Sequence, residues 1–195
     1  MRNIGSERAR EMSKLTVEKI RQRFEFSNDF NEIFDAFEQA LKLRLDDIEL
    51  YQRLFWNDSL KPDELCLFGE QLTKEFPKLA YDTYMFLANV FETMYSMIDN
   101  HELSFLYYRK AASVRPESSE PYMHAADSYE ADLNIPNISS VIAFLKAGIQ
   151  HAAAPKIFYE RLVQLYEING NDEMRNYYRR LADEDSLGKK EPPQH

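Results

Sequence analysis

The chain has 195 residues, and because 44% of them are apolar it can bury a sizeable core and is not a disordered tail. Its 5 Gly and 8 Pro, with few β-branched residues beside many Leu, Ala, Glu and Lys, predict helices and argue against any sheet. The formal net charge of −9 repels phosphate backbones, so nucleic acid is not expected as the main ligand.

The N-terminal region departs from this acidic balance. Residues 1–24 carry seven Lys or Arg against three Glu, a net charge of +4, which leaves −13 for the rest of the chain. We expect residues 1–13 to form a basic segment that leads into the first helix. If the chain contacts nucleic acid or an acidic partner at all, it would do so here, through Arg10, Lys14, Arg21 and Arg23, and we keep this as a remote alternative.

The first predicted helix pair follows directly. Val17, Ile20 and Phe24 are spaced for one helical face. The stretch NDFNEIFDAFEQALKLRLDD, residues 28–47, then predicts a second helix with a wide apolar face. Its apolar residues recur at steps of three and four: Phe30, Ile33, Phe34, Phe37, Ala40, Leu41 and Leu45. We expect this face to pack on the first helix and on the next pair.

Four further pairs are predicted along the chain, with a recurring order of aromatic, aliphatic, small and aromatic residues in their first helices. The third reads Tyr84-x2-Leu87-Ala88-x2-Phe91, then Ser104-x3-Tyr108-x2-Ala111 and Pro116. The fourth reads Tyr122-x2-Ala125-Ala126-x2-Tyr129, and the fifth Tyr159-x2-Leu162-Val163-x2-Tyr166 with Gly170 at its turn. The second is degenerate, because Phe55 and Asp58 stand where a small residue and an aromatic are expected.

This order resembles the tetratricopeptide repeat (TPR), a helix-turn-helix unit of about 34 residues. The resemblance covers residues 14–184 and implies an all-α fold: a right-handed superhelix, or α-solenoid, of about five antiparallel helix pairs in which each pair packs on its neighbours. A plain helical bundle is the alternative. The recurrence of residue types in register argues against it, since a bundle does not need such a recurrence.

No motif in the sequence predicts catalysis or a cofactor. The single Cys66 cannot form an internal disulfide, and none of the four histidines pairs at the spacing of a helical zinc site. A glycine-rich phosphate loop is absent as well. We therefore expect no enzyme activity, no cofactor, no metal and no small-molecule substrate.

The two ends of the sequence indicate the cellular location of the protein and the extent of its ordered part. The first residues lack the apolar core of a secretory signal, and no run of about 18 apolar residues occurs, so we expect a cytoplasmic protein without membrane insertion. Residues 185–195, DSLGKKEPPQH, combine Gly, Pro and charge and predict a disordered C-terminal tail.

The TPR resemblance also implies a binding surface, because in that family the first helix of each pair lines the concave side. The inward-facing residues lie one, five and eight places after the leading residue of each pair: Val17, Tyr51, Tyr84, Tyr122 and Tyr159. Seven of these fifteen residues are acidic, and none is basic. This pattern predicts an acidic groove that binds a basic or amphipathic segment of another protein, as an adaptor, assembly factor or chaperone does. The predicted partner-binding residues are Glu18, Gln22, Glu25, Gln52, Trp56, Met85, Asn89, Glu92, Met123, Asp127, Glu130, Glu160, Gln164 and Glu167.

Self-association is the alternative function in another class. The degenerate second pair, or the C-terminal helix around Tyr177 and Tyr178, would then form a homodimer, and the chain would be a structural oligomerisation module. The acidic residues would in that case only keep an exposed face solvated.

Overall fold

The computed structural model describes residues 15–94 and 98–188, and within these ranges the chain is all-α, as predicted, with ten α-helices, one short 3-10 turn and no strand. The first five helices are α1 (Val17–Phe26), α2 (Phe30–Lys42), α3 (Ile48–Phe55), α4 (Pro62–Glu75) and α5 (Ala80–Met94), with the 3-10 turn at Pro77–Leu79. The others are α6 (Ile98–Val114), α7 (Glu120–Asp127), α8 (Ile138–Ile149), α9 (Lys156–Ile168) and α10 (Asp172–Gly188).

Short polar side chains determine where several helices begin. Thr16, Asp29, Asp47 and Asn137 each precede a helix and accept a hydrogen bond from a backbone N–H of its first turn, at 2.8–3.3 Å. These bonds satisfy donors that would otherwise have no partner inside the helix. The starts of these four helices are therefore encoded by local residues.

The chain divides into two compact units, with the boundary between Val90 and Phe91. In unit 1, the core is a cluster of aromatic rings contributed by α1 to α4. Phe37 of α2 lies 4.8 Å from the ring of Phe68 and 6.0 Å from that of Tyr51. Tyr51 also contacts Phe24 of α1 at 6.1 Å. The apolar face of α2 thus packs on α3 and α4, the pair that follows it, as its spacing predicts.

Unit 2 is built in the same way around Tyr122 of α7. The Tyr122 ring lies 4.4 Å from Phe144 of α8 and 5.5 Å from Phe158 of α9. Gly148 of α8 faces α7 and α9. A Cβ atom placed there would come within 2.5 Å of the Phe158 ring and 2.9 Å of the Tyr122 ring. The absence of a side chain at residue 148 allows the three helices to approach this closely.

The turn predicted at Gly170 is present, and a longer loop separates α7 from α8. Gly170 lies in the turn between α9 and α10 with a φ of +68°, a backbone conformation that favours glycine. The segment 128–137 separates α7 from α8, and in it Glu130 and Ile135 exchange backbone hydrogen bonds of 2.7 and 3.3 Å. This small bridge closes the loop on itself.

The predicted C-terminal boundary needs a correction. We expected a disordered tail from residue 185, yet residues 185–188 are the last four residues of α10. The sequence from Asp185 to Leu187 contains no helix breaker, and the helix is described as far as Gly188. Residues 189–195 and the predicted basic segment 1–13 lie outside the described residues.

We predict that Gly148→Val destabilises the protein by about 1–3 kcal/mol, because the added side chain must displace the rings of Phe158 and Tyr122. Urea unfolding followed by far-UV circular dichroism measures the change. The matched control is Ala147→Val, at the neighbouring exposed position of the same helix, where valine loses helix propensity relative to alanine. Valine in place of Gly148 gains some propensity, so a larger loss there reports the ring contacts. Equal losses for the two variants would show that Gly148 is not at a close helix contact.

Alkaline pH should destabilise the fold through its buried tyrosines. Burial raises the pKa of Tyr51, with a further contribution from the Asp46 carboxylate. Burial also raises the pKa of Tyr108, as does the hydrogen bond that its hydroxyl donates to Glu92 at 2.8 Å. Because an unfolded tyrosine ionises near pH 10 and the folded one only at higher pH, stability is complete below pH 10 and falls as pH rises above it.

Urea unfolding between pH 8 and pH 11 tests this pH dependence. In Tyr51→Phe the loss of stability above pH 10 should be smaller than in the parent, although the variant starts lower because it lacks the 2.6 Å hydrogen bond from Tyr51 to the Leu45 carbonyl. Tyr177→Phe, at an exposed position, is the control and should keep the parent's pH profile. A parent whose stability is constant to pH 11 would contradict the argument.

Candidate interaction surfaces

The predicted partner-binding residues are divided between the two units, and each set is described by itself. In unit 1 they lie on α1, at the end of α3 and on α5; in unit 2 they lie at the end of α5, on α7 and α9, and in the loop after α7. Most are exposed, and four are half-buried: Gln52, Met85, Glu92 and Met123. The first helices of the pairs therefore do present these side chains at or near the surface.

Glu130 is an exception, because it does not lie on a helix. Helix α7 ends at Asp127, and Glu130 follows in the loop that its backbone bridge to Ile135 closes. The offset used to select Glu130 assumes three helical turns, whereas α7 has only eight residues. Glu130 therefore does not continue the helical face that carries Asp127.

Basic residues compensate much of the predicted negative charge. Glu18 pairs with Arg21 at 3.2 Å and Glu160 with Lys156 at 3.5 Å, each within one helix. Glu25 of α1 pairs with Arg53 of α3 at 2.7 Å, and Asp127 of α7 pairs with Arg161 of α9. Counting only the acidic residues at the inward-facing positions omits their basic partners. The surface is therefore less acidic than the sequence pattern indicates.

Glu92 is held by a buried group rather than by an opposite charge. Its carboxylate accepts a hydrogen bond from the hydroxyl of Tyr108, a side chain that is almost completely buried. The ring of Tyr108 in turn stacks on His124 of α7, with centroids 5.8 Å apart. Glu92 therefore has an ordered position at the surface of unit 2.

A surface cavity of about 440 Å³ lies between α1 and α3 in unit 1. Its lining residues are Glu25, Glu49, Gln52, Arg53 and Trp56. Trp56, the only tryptophan of the chain, is 45% exposed and meets the ring of Phe86 edge-on at 5.7 Å. This contact restricts the indole while leaving part of its surface open to solvent.

Asn57, next to Trp56, joins the two helices that form the cavity. Its side-chain amide donates hydrogen bonds to the carbonyl of Phe24 at 2.9 Å and to that of Ser27 at 3.0 Å, at the end of α1. Its side-chain oxygen accepts from the backbone N–H and the hydroxyl of Ser59, at 3.0 and 2.6 Å. Because Asn57 is buried, these bonds hold α1 and the end of α3 in a defined relation.

Sequence reasoning missed two lining residues of this cavity, Glu49 and Arg53. A usable signal existed, because Glu49, Gln52 and Trp56 are spaced three and four residues apart and share one face of α3. Extending the selected stripe one turn toward the N-terminus finds Glu49. Arg53 can be placed only with the tertiary structure, since its partner Glu25 lies 28 residues away.

The tyrosines proposed for self-association differ in accessibility. Tyr178 is buried and stacks on Tyr166 of α9, with centroids 5.6 Å apart. Only Tyr177, at 44% exposure, is open to solvent. In the degenerate second pair, Tyr51, Leu54 and Phe55 are also buried. Of these two tyrosines, Tyr177 is therefore the one available to a dimer contact on α10, and self-association stays a prediction.

Other kinds of site have little support in the described part of the chain. Among residues 15–94 and 98–188, no group of three or more His, Cys, Asp or Glu is arranged to hold a metal ion. None of the helices in these ranges combines the length and apolar character that crossing a membrane requires. No family model matches the chain, and no curated protein matches it either. The function is therefore argued from its own surfaces.

We predict that Asn57→Ala lowers the free energy of unfolding by about 2–3 kcal/mol, because it removes the side-chain donor to the buried Phe24 carbonyl and one of the two side-chain donors to the Ser27 carbonyl. Asn31→Ala, at an exposed position of α2, should change it by less than about 0.5 kcal/mol. Urea unfolding of the two variants measures both values. If Asn57→Ala were as stable as the parent, the hydrogen bonds that join α1 to α3 would not be required.

Proposed function

We propose that this chain is a non-enzymatic protein-interaction module, an adaptor, assembly factor or chaperone of the cytoplasm. It binds a basic or amphipathic segment of another protein and needs no cofactor, metal or small-molecule substrate. Its helices form TPR-like antiparallel pairs that stack into a right-handed superhelix.

The burial pattern supports the TPR-like part of this proposal. The small residues Ala88 and Ala126 of the repeated pattern are buried, as are the aromatic residues Phe91 and Tyr122. Small residues at such positions let helices approach closely, and the aromatics fill the space between neighbouring pairs. The element order, ten helices in the described ranges, also fits five pairs.

The observation that carries the binding function is the exposure of Trp56. A tryptophan that is 45% exposed leaves a large apolar surface in water, and here it lines a cavity instead of an isolated position. Tryptophan is enriched among the residues that contribute most to protein interfaces. A binding surface on unit 1 explains why this side chain is not buried in the core as the other large aromatics of α3 are.

Charge supports a basic partner. Outside the basic N-terminal region the sequence carries a net charge of −13, which steers a cationic segment toward the protein over distances of about 8 Å at physiological ionic strength. In the N-terminal region itself, Arg21 is paired with Glu18, and Arg23 donates a hydrogen bond to the Glu32 carbonyl at 3.4 Å. These contacts favour a structural role for the described part of that region over recognition of an acidic partner.

We predict that Trp56→Ala weakens partner binding at least tenfold. The partner is first identified by crosslinking and mass spectrometry, and its affinity is then measured by calorimetry with purified proteins. Phe26→Ala is the matched control, because Phe26 is another large aromatic of unit 1, 70% exposed, and does not line the cavity. Equal effects of the two substitutions would contradict a binding surface at Trp56.

The unit 2 residues need a separate test. Reversing Asp127→Lys and Glu130→Lys should lower affinity only about threefold, and more at low salt, because these side chains contribute steering rather than burial. Calorimetry at two salt concentrations measures the effect. A larger loss than that of Trp56→Ala would place the main contact on unit 2.

Mass measurement over a range of concentrations detects the self-associating alternative.

A further inference from the structure

The cavity beside Trp56 has an apolar end and a charged end. Glu49 and Gln52 share one face of α3, and Trp56, the residue that follows the helix, lies about 10 Å from Glu49 along the axis at the helical rise. The indole forms the apolar end, and the Glu49 carboxylate forms the other. Gln52, between them, offers a side-chain oxygen that can accept a hydrogen bond.

The charges of the lining residues do not cancel. Arg53, the one basic residue among them, is held by Glu25 at 2.7 Å. This ion pair compensates the charge of Glu25 and leaves that of Glu49, which is exposed at the first turn of α3. Trp56 follows the last residue of α3, and carbonyl groups at a helix C-terminus add a partial negative charge. The full charge of Glu49 outweighs the partial positive charge at the start of α3, so the lining has a net negative charge, which lies at the Glu49 end.

We propose that this cavity binds one lysine or arginine side chain of the partner segment. The aliphatic stem lies along the Trp56 ring, and the charged head meets Glu49 and the Gln52 side-chain oxygen. This inference rests on the proposed interaction function and specifies which residue the partner inserts. It also adds Glu49 and Arg53 to Glu25, Gln52 and Trp56, which the acidic-groove hypothesis already included.

The chemistry of the lining favours a basic side chain over an apolar or an acidic one. An apolar residue would cover Trp56 but would take the Glu49 carboxylate out of water without a partner, which is costly. An acidic residue could approach Arg53 only by competing with Glu25, while Glu49 repels it. Lysine and arginine satisfy both ends, because their stems pack on apolar surface while their heads stay at the charged rim.

Trp56 provides a direct readout, because the chain has a single tryptophan. The probes are three acetylated and amidated nine-residue peptides that are identical except at the central position, which is lysine, norleucine or glutamate. Each is titrated into the full chain while tryptophan fluorescence is recorded, and a fluorescein-labelled copy is followed by anisotropy. The lysine peptide should change the fluorescence and bind about tenfold more tightly than the norleucine peptide, with the glutamate peptide weakest.

Two variants connect this preference to the cavity. Glu49→Gln should reduce the advantage of lysine over norleucine to less than about threefold, since it removes the charge and preserves the shape. Asp35→Asn is the control, an exposed carboxylate of α2 that does not line the cavity, and it should keep the advantage. Circular dichroism and urea unfolding check that both variants are folded.

The outcomes separate this inference from the proposed function. Equal binding of the lysine and norleucine peptides, or an advantage of lysine that persists in Glu49→Gln, would overturn the inference and leave the interaction module intact. Tighter binding of the glutamate peptide would overturn it and favour Arg53 as the recognition residue. If the identified partner binds the parent and Trp56→Ala equally, the site at Trp56 is wrong for both proposals.

Discussion

Several helices of this chain are too short to be stable alone in water. Helices α3 and α7 have eight residues each, below the 12–15 at which isolated helices are even marginal. Their stability must come from burying one face against neighbours. The aromatic contacts of Phe37 with Phe68 in unit 1, and of Tyr122 with Phe144 in unit 2, provide this burial, and the remaining features of the fold depend on it.

The same constraint determines which side chains are left for function. A helix that packs on its partner and on the next pair turns its apolar face inward, so the residues on its other face meet solvent. On α3 the buried face carries Tyr51, Leu54 and Phe55, and the outer face carries Glu49, Gln52 and Arg53. Trp56 stands at the end of this helix, with part of its ring open to solvent.

Features encoded by local spacing could be predicted from the sequence. The apolar face of α2, the turn at Gly170 and the burial of Ala126 follow from residue types at fixed intervals. Features that depend on distant partners could not. The ion pair between Glu25 and Arg53 joins residues 28 apart, and it changes the charge of the surface that the sequence pattern describes.

Helix ends were the other source of error, for a physical reason. A helix stops where the free energies of capping, loop geometry and packing together outweigh the gain of one more backbone hydrogen bond. The periodicity of apolar residues carries no information about these free energies. Helix α7 stops at Asp127 because the following residues form the loop closed by Glu130 and Ile135. Helix α10 instead continues to Gly188, past the composition change at residue 185.

The position of Asn57 links stability to binding. Its buried hydrogen bonds hold the end of α1 against the end of α3, so Glu25, Arg53 and Trp56 are positioned before any partner arrives. A preformed cavity spares the partner the entropy cost of ordering both helices, which strengthens binding without a new contact. Asn57 can therefore affect affinity although it does not line the cavity. Replacing it would weaken binding only if α1 and α3 then move apart.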